Sequence, residues 1–494
     1  MFCFAPEQLK MDFMETIQYV NELSTKEPKR FIQLLKEHID LPALIPSSFY
    51  KKYNASTTNN RDYSLSSMLA IVLLMHFFKF HKVNNFITMM TFSPEICEFC
   101  KLPKDSIPDE SLISKFKIKF ENELKLFFEN LTLPVMDIFD EYDASLPDNS
   151  PDKGKHKTEI YDTTGLKAKV KENNPKFLQS EIKRQSSYKK YLQSQGQGKT
   201  FNAYAAAYKN MPKQAQANEA IKLGYANGHF GYFYKYGKVT NGFGIPLHIH
   251  FLDKDFYEDL PEEFESVDEQ KYVFDNASLY PVLSSFHKRI GGNRFTTFLG
   301  DSEFDSYDNY GFLQELGFEK VLIPLNDRNT PKTNTPIPLN SSGIPCCPKN
   351  PALPFISDGK CKGENRSLRF KFVCPKSRRV NNKWQSDCCD KCRETNSTVT
   401  TYTYPSGDLR EYFGVHRGSK EWDKTYKSRT IIERGFSSEK SHPALSHPNT
   451  YNSASLRADV YINAASKLIV VMLAFALGKP QYMRNLKNLL KSIA

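Results

Sequence analysis

The chain is 494 residues long, more than one ordinary core holds, so about two or three domains are expected. Lys and Arg number 67 against 56 Asp and Glu, a net charge of +11, and a field of that sign draws polyanions, nucleic acid first among them. No stretch reaches the roughly 18 consecutive apolar residues that span a bilayer, and no basic flank with an apolar core and cleavage site marks a signal peptide. The expected compartment is therefore the cytoplasm, where the ten cysteines stay reduced and clusters of them read as candidate metal ligands.

Residues 13–23, 28–38, 64–80 and 111–131 carry apolar side chains at helical spacing, which predicts a mainly helical domain over residues 1–150. The apolar runs at 69–78 and 468–477 are broken by His76 or bounded by Lys467 and Lys479, so each reads as a buried helix. Pro147-Asp148-Asn149-Ser150-Pro151-Asp152-Lys153-Gly154 is a linker by composition. A second domain is expected over residues 151–325, opening with a strand over 156–162 that ends at Asp162-Thr163-Thr164-Gly165.

Residues 153–222 hold 15 Lys or Arg against 5 Asp or Glu. The basic insertion at about 170–225 is either a solvated helical face or a surface that lies along phosphates. Residues 229–234 and 245–251 read as strands joined through Gly237-Lys238-Val239-Thr240-Asn241-Gly242. A strand at 295–299, a helix at 307–316 and a strand at 320–325 then make a strand–helix–strand unit, with Asp301 just past the first strand. Residues 326–412 lose apolar periodicity and hold seven of the ten cysteines, an inserted module by composition. Residues 413–480 resume with a charged helix over 420–440 and an apolar one over 455–477, and residues 481–494 close the chain as a basic tail with Arg484, Lys487 and Lys491.

The most specific signal is Tyr426, Arg429, Glu433 and Lys440, with two, three and six residues between successive members. At about 100° per residue they fall at roughly 0°, −60°, −20° and −40° on a helical wheel, one face. A carboxylate flanked by two cations and a phenol suits a metal beside phosphates. Gly435, Ser437 and Ser438 weaken the helix before Lys440.

This signature resembles that of a large group of bacterial insertion-sequence transposases, the DDE enzymes with a Tyr-Arg-Glu-Lys motif. Tyr161-Asp162-Thr163-Thr164-Gly165 resembles their first catalytic Asp motif and Leu299-Gly300-Asp301-Ser302-Glu303 the second. The blocks Lys171-Glu172-Asn173-Asn174-Pro175-Lys176, Asn227-Gly228-His229-Phe230, Val239-Thr240-Asn241-Gly242 and Arg417-Gly418-Ser419-Lys420-Glu421-Trp422 look like those of a subgroup with a cysteine-containing insertion. Tyr63-Ser64-Leu65 and Ile107-Pro108-Asp109-Glu110-Ser111 look like its N-terminal domain. The resemblance implies an α/β, RNase H-like core in an overall α+β chain, with residues 1–150 binding DNA or dimerising. It also implies a bacterial, nucleoid-associated homo-oligomer acting on terminal inverted repeats and target DNA.

The implied chemistry explains the acids. Two hard cations about 3.5 to 4 Å apart can stabilise the attacking and leaving oxygens of a phosphodiester, and Mg²⁺ takes carboxylate oxygens. Asp162, Asp301 and Glu433 are the candidate catalytic ligands of two Mg²⁺ or Mn²⁺ ions. Tyr426, Arg429 and Lys440 are the candidate DNA contacts. Taken singly, Asp162 could be a turn former and Asp301 a helix N-cap, and Asp305 and Asp308 lie close enough to compete with Asp301. Cleavage without joining, as in a related nuclease, and a catalytically inactive DNA-binding descendant are the alternative functions.

Among the cysteines, Cys389 and Cys392 form a Cys-x-x-Cys pair that Cys347 and Cys374 would complete as a tetrahedral site. Structural Zn²⁺ and reduced, uncoordinated thiols are both open. Cys97 and Cys100 read as buried thiols. His248 and His250, on one face of a strand, and Trp384 and Trp422 read as structural.

Overall fold

The computed structural model describes residues 30–55, 61–80, 82–102, 106–197, 200–226, 229–253, 275–326, 337–340, 344–361, 369–390, 399–403, 409–410, 412–446 and 448–493. The helix expected at 13–23 lies outside them. After helix Arg30–His38, α1 spans Leu65–Phe77, capped by Ser64, whose side chain accepts the Ser67 amide. Its residues are apolar all round and nearly all buried, the pattern of a core helix. The single helix expected over 111–131 is instead two, α2 (Glu110–Lys119) and α3 (Glu121–Ser145). Asp109 caps the first, and the chain turns at Phe120, at φ −115° and ψ 26°. The second runs on because Val135, Met136 and Phe139 continue its buried stripe.

A seven-stranded mixed sheet follows, of β1 (Thr158–Lys167), β2 (Gln214–Ala215), β3 (Asn218–Ala226), β4 (His229–Asn241), β5 (Pro246–Phe251), β6 (Thr297–Leu299) and β7 (Lys320–Leu322). Long β4 pairs antiparallel with β1 along one edge and with β3 and then β5 along the other. β1, β6 and β7 are parallel neighbours. Two expectations change here. The first strand does not stop at Asp162, because residues 163–167 continue pairing with residues 233–237 of β4. The segment 237–241 is strand rather than connection, and the turn falls over residues 242–244, with Gly244 at φ +76°. Gly237 serves packing: a Cβ there would sit 2.4 Å from the Tyr161 hydroxyl.

In the basic insertion, α4 (Pro175–Ser194) is capped by Asn174 and leaves Tyr188 and Tyr191 half exposed. On the sheet face that carries Tyr161, α5 (Asp275–Arg289) and α6 (Tyr307–Glu315) contribute Leu279, Val282, Phe286 and Leu313 to a core with Phe298 and Val321. The described residues between 344 and 403 form short antiparallel pairs and a three-stranded sheet over a separate small core of Phe355, Phe370 and Phe372 with Cys347 and Cys374.

The chain then returns as α7 (Lys420–Tyr426), a 3-10 turn (Lys427–Arg429), α8 (Thr430–Lys440) and α9 (Ser453–Ala476). By length and composition α9 is the one helix among the described residues apolar enough to cross a membrane, but most of it is buried within the protein. It is the spine of the largest core, where Leu468 and Val471 join Leu69 and Leu73 of α1, Phe128 and Leu131 of α3, and Tyr234 and Tyr236 of β4. The N-terminal helices and the sheet are therefore two sides of one apolar interior.

Candidate active site

β1 lies in the middle of the sheet, paired with β4 along its length and with β6 up to Ile160, so Asp162 stands two residues past the end of the parallel pairing. It stands opposite Lys238 of β4, and directly opposed residues share a face. Asp301 lies one residue beyond β6, after Gly300, and turns the chain, accepting the Ser302 amide at 2.6 Å as cap of a 3-10 turn (Ser302–Phe304). Its capping role and its place at the site coexist. Glu433 sits in the first turn of α8, which crosses the Asp162 face of the sheet.

The three acids converge on Arg429. One guanidinium nitrogen donates to Glu433 Oε1 at 2.5 Å, and the other to Asp301 Oδ2 at 2.7 Å and Asp162 Oδ2 at 3.4 Å. Burial disfavours the Arg429 charge, but Asp162, Tyr426, Asp301 and Glu433 outweigh it and hold the guanidinium above its ordinary pKa. The carboxylates are gathered round this cation rather than round a common point: among the described residues no three His, Cys, Asp or Glu side chains form a metal-holding group. The donor set nevertheless fits a hard divalent cation, being three carboxylates already sharing one positive charge.

Tyr426 stacks on Trp422 with ring centroids 4.7 Å apart and directs its hydroxyl toward Gly300 O at 3.4 Å. Burial pushes its phenol up, Arg429 opposes, and Asp301, Asp162 and Glu433 push the same way as burial. Lys440 ends α8; burial lowers its pKa against the pull of Glu439 and Asp162. The four residues of the motif thus line one side of the α7–α8 segment despite the 3-10 turn between them.

Beneath α8 lies a charge cluster that the sequence reading missed. Lys238, 1 % exposed, donates to Glu439 Oε1 at 2.9 Å, Lys467 of α9 donates to the same oxygen at 2.7 Å, and the Tyr236 hydroxyl donates to Glu439 Oε2 at 2.9 Å. Burial would raise the Glu439 pKa, but Lys238 and Lys467 pull it down to about 2. Burial takes Lys238 down to about 8 against the pull of Glu439. The cluster ties α8 to β4 and α9, and so fixes where Glu433 stands. A signal was present: Tyr232, Tyr234, Tyr236, Lys238 and Thr240 alternate along β4, and a Lys in that buried register needs a carboxylate.

Asp305, which competes with Asp301 in sequence, has another role. Arg410 grips it in a bidentate pair at 2.8 and 2.6 Å, and it accepts the Asn326 amide at 2.7 Å and the Tyr310 hydroxyl at 3.2 Å. Arg417 donates to Tyr310 and to the carbonyls of Ile323 and Arg410. Asp305 therefore locks both ends of the cysteine-bearing segment to the strand–helix–strand unit. Asp308 lies exposed on α6.

Cys347 and Cys374 meet in the small β core, Cys389 is exposed, and Cys392 lies outside the described residues. Cys100 is buried, and burial pushes its thiol up. His248 stacks on Phe286 at 5.5 Å, Trp384 donates to Asp358, and Trp422 is packed beneath Tyr426.

The matched family lies at the other end of the chain. Residues 21–119 match the family model of a transposase domain, DUF772. No curated protein matches the chain. The match supports a transposase role and binding to DNA. The matched region contains α1 and α2 and packs against the segment just after α8: His76 stacks on His442 with centroids 4.7 Å apart, and His442 Nε2 lies 3.1 Å from His76 O. Lys117 of the same domain donates to Asp459 of α9 at 2.8 Å. The matched region thus abuts the end of the helix that carries Glu433.

Proposed function

We propose that this chain is a DDE-type DNA transposase that cuts at the terminal inverted repeats of an element and joins the freed ends to target DNA. The observation that carries the reading is the convergence of Asp162, Asp301 and Glu433 on Arg429, from positions up to 267 residues apart. An RNase H-like core is supported by the sheet: antiparallel β5, β4 and β1 continue into parallel β6 and β7. The acids stand on the central strand, just past its parallel neighbour and on a covering helix.

Bound Mg²⁺ or Mn²⁺ would supply Lewis acidity at the attacking and leaving oxygens. The protein's own part is positional. Asp162 is fixed by the sheet, Asp301 by its capping turn and Glu433 by the buried cluster beneath α8. Arg429 keeps the carboxylates together, and its planar fork suits phosphate oxygens once that charge is shared with divalent cations. Tyr426 and Lys440 flank the acids as strand contacts, and a homodimer or larger homo-oligomer would bring two element ends together.

The deciding experiment combines labelled element ends, target plasmid, Mg²⁺ and the full chain. Joined product supports the reading; nicking alone indicates a nuclease without joining; DNA binding with neither product indicates an inactive descendant. Asp301→Asn, Asp162→Asn or Glu433→Gln should each lower cleavage by at least about a hundredfold, the upper end of what is lost with outer-shell partners of metal ligands.

A further inference from the structure

A cleft of about 250 Å³ opens on the flank of α8, between the end of α1, the turn after β4, the middle of α9 and the basic tail. Lys79, Arg434, Lys467 and Arg484 line it, and among the described residues no Asp or Glu does. Lys467 is engaged with Glu439. Among the described residues, neither Arg434 nor Arg484 has a carboxylate partner. Burial and repulsion from Arg434 pull Arg484 below its ordinary pKa, and burial and Lys487 do the same to Lys79. His76 and Asn463, only 6 % and 7 % exposed, line the same cleft, and His76 Nδ1 and Asn463 Oδ1 have no hydrogen-bond partner.

Arg434 and Arg484, cations close enough to repel each other, are stabilised by an incoming anion, and two arginine forks suit phosphate oxygens. The volume falls below the roughly 300 to 1,000 Å³ of drug-sized pockets, so the occupant is small in cross-section. Arg434 follows Glu433 directly, about 100° further round α8, so the cleft and the three acids open on adjoining faces of one helix. We propose that this cleft seats a phosphodiester group of the DNA strand whose scissile linkage lies at the three acids. The assignment rests on the transposase reading for that strand's course. It makes the basic tail and the end of α1 two jaws of one phosphate clamp.

The test uses the full chain, a labelled duplex of arbitrary sequence and buffer with chelator, so that binding is read without cleavage. Arg434→Gln and Arg484→Gln should each weaken binding and reduce the slope of log affinity against log salt by about 1, and the double variant by about 2. Arg434→Lys keeps the charge and should restore most of the slope. A double variant with the wild-type melting temperature and an unchanged slope overturns the proposal. So does inorganic phosphate raising the melting temperature of the wild type alone while duplex binding is the same in both, which would make the cleft a small-anion site. If the slope falls as expected but no DNA is ever cut or joined, the clamp stands and the catalytic reading falls.

Discussion

Arg429 and Asp301 lie 128 positions apart in the chain, yet a guanidinium nitrogen of one donates to a carboxylate oxygen of the other at 2.7 Å. The same guanidinium binds Glu433 and reaches Asp162. Its single positive charge offsets part of the repulsion among three carboxylates at the candidate site.

Replacing that cation should make the fold depend on added metal. Arg429→Gln is expected to melt several degrees below wild type in chelator, because the carboxylates lose their shared partner. Mg²⁺ should raise its melting temperature more than that of wild type, since a ligand that binds only the folded form stabilises it by mass action. Equal Mg²⁺ shifts in the two proteins would refute the idea that Arg429 and a divalent cation bind the same three carboxylates.

The buried cluster beneath α8 is expected to control stability and activity together. Glu439→Gln leaves Lys238 as an uncompensated buried charge and should cost about 3–5 kcal/mol in denaturant unfolding. Pairing Glu439→Leu with Lys238→Met should recover much of that loss, because two apolar side chains replace two buried charges. Recovery of stability without recovery of cleavage would show that the cluster orients α8 as well as holding it.

Acid should weaken the fold through the same residues. Glu439 is drawn from an ordinary 4.5 to about 2 by Lys238 and Lys467 against burial, and Asp459 from 3.8 to about 2 by Lys117 and His76 against burial. A carboxylate depressed in the folded state contributes stability that is fully present above its unfolded pKa and is lost as pH falls through the folded value. Melting temperature should therefore decline between about pH 4.5 and 2, and Glu439→Gln should flatten that decline. A variant as acid-sensitive as wild type would exclude Glu439 as a source.

Asp305 and Asp301 should separate cleanly. Asp305→Asn breaks a buried pair with Arg410 and is expected to cost about 3–5 kcal/mol of stability, with cleavage per folded molecule nearly unchanged below the melting transition. Asp301→Asn should do the reverse, removing cleavage while moving the melting temperature little, since its side chain is partly exposed and shares Arg429 with two other acids. Loss of cleavage in the folded Asp305 variant would return it to the list of metal ligands.

What the sequence by itself determined was local. Helical apolar spacing gave helices over 64–80 and 455–477, which the structure has as Leu65–Phe77 and Ser453–Ala476, and the four-residue motif put Tyr426, Arg429, Glu433 and Lys440 on one face, because helix periodicity is a property of neighbouring residues. Gly237 misled for the same reason: glycine marks turns locally, whereas here its missing Cβ makes room for Tyr161 on the adjacent strand. The pairings that give the site its shape join distant residues, Lys238 to Glu439 across 201 positions and Asp305 to Arg410 across 105. Only the tertiary structure decided that Arg429 would sit among three acids, that Asp305 would act as a latch, and that Arg434 and Arg484 would face one cleft. Each is set by which buried charge meets which partner when the sheet, α8 and α9 close on one core, and in a low-dielectric interior a charge without such a partner is costly.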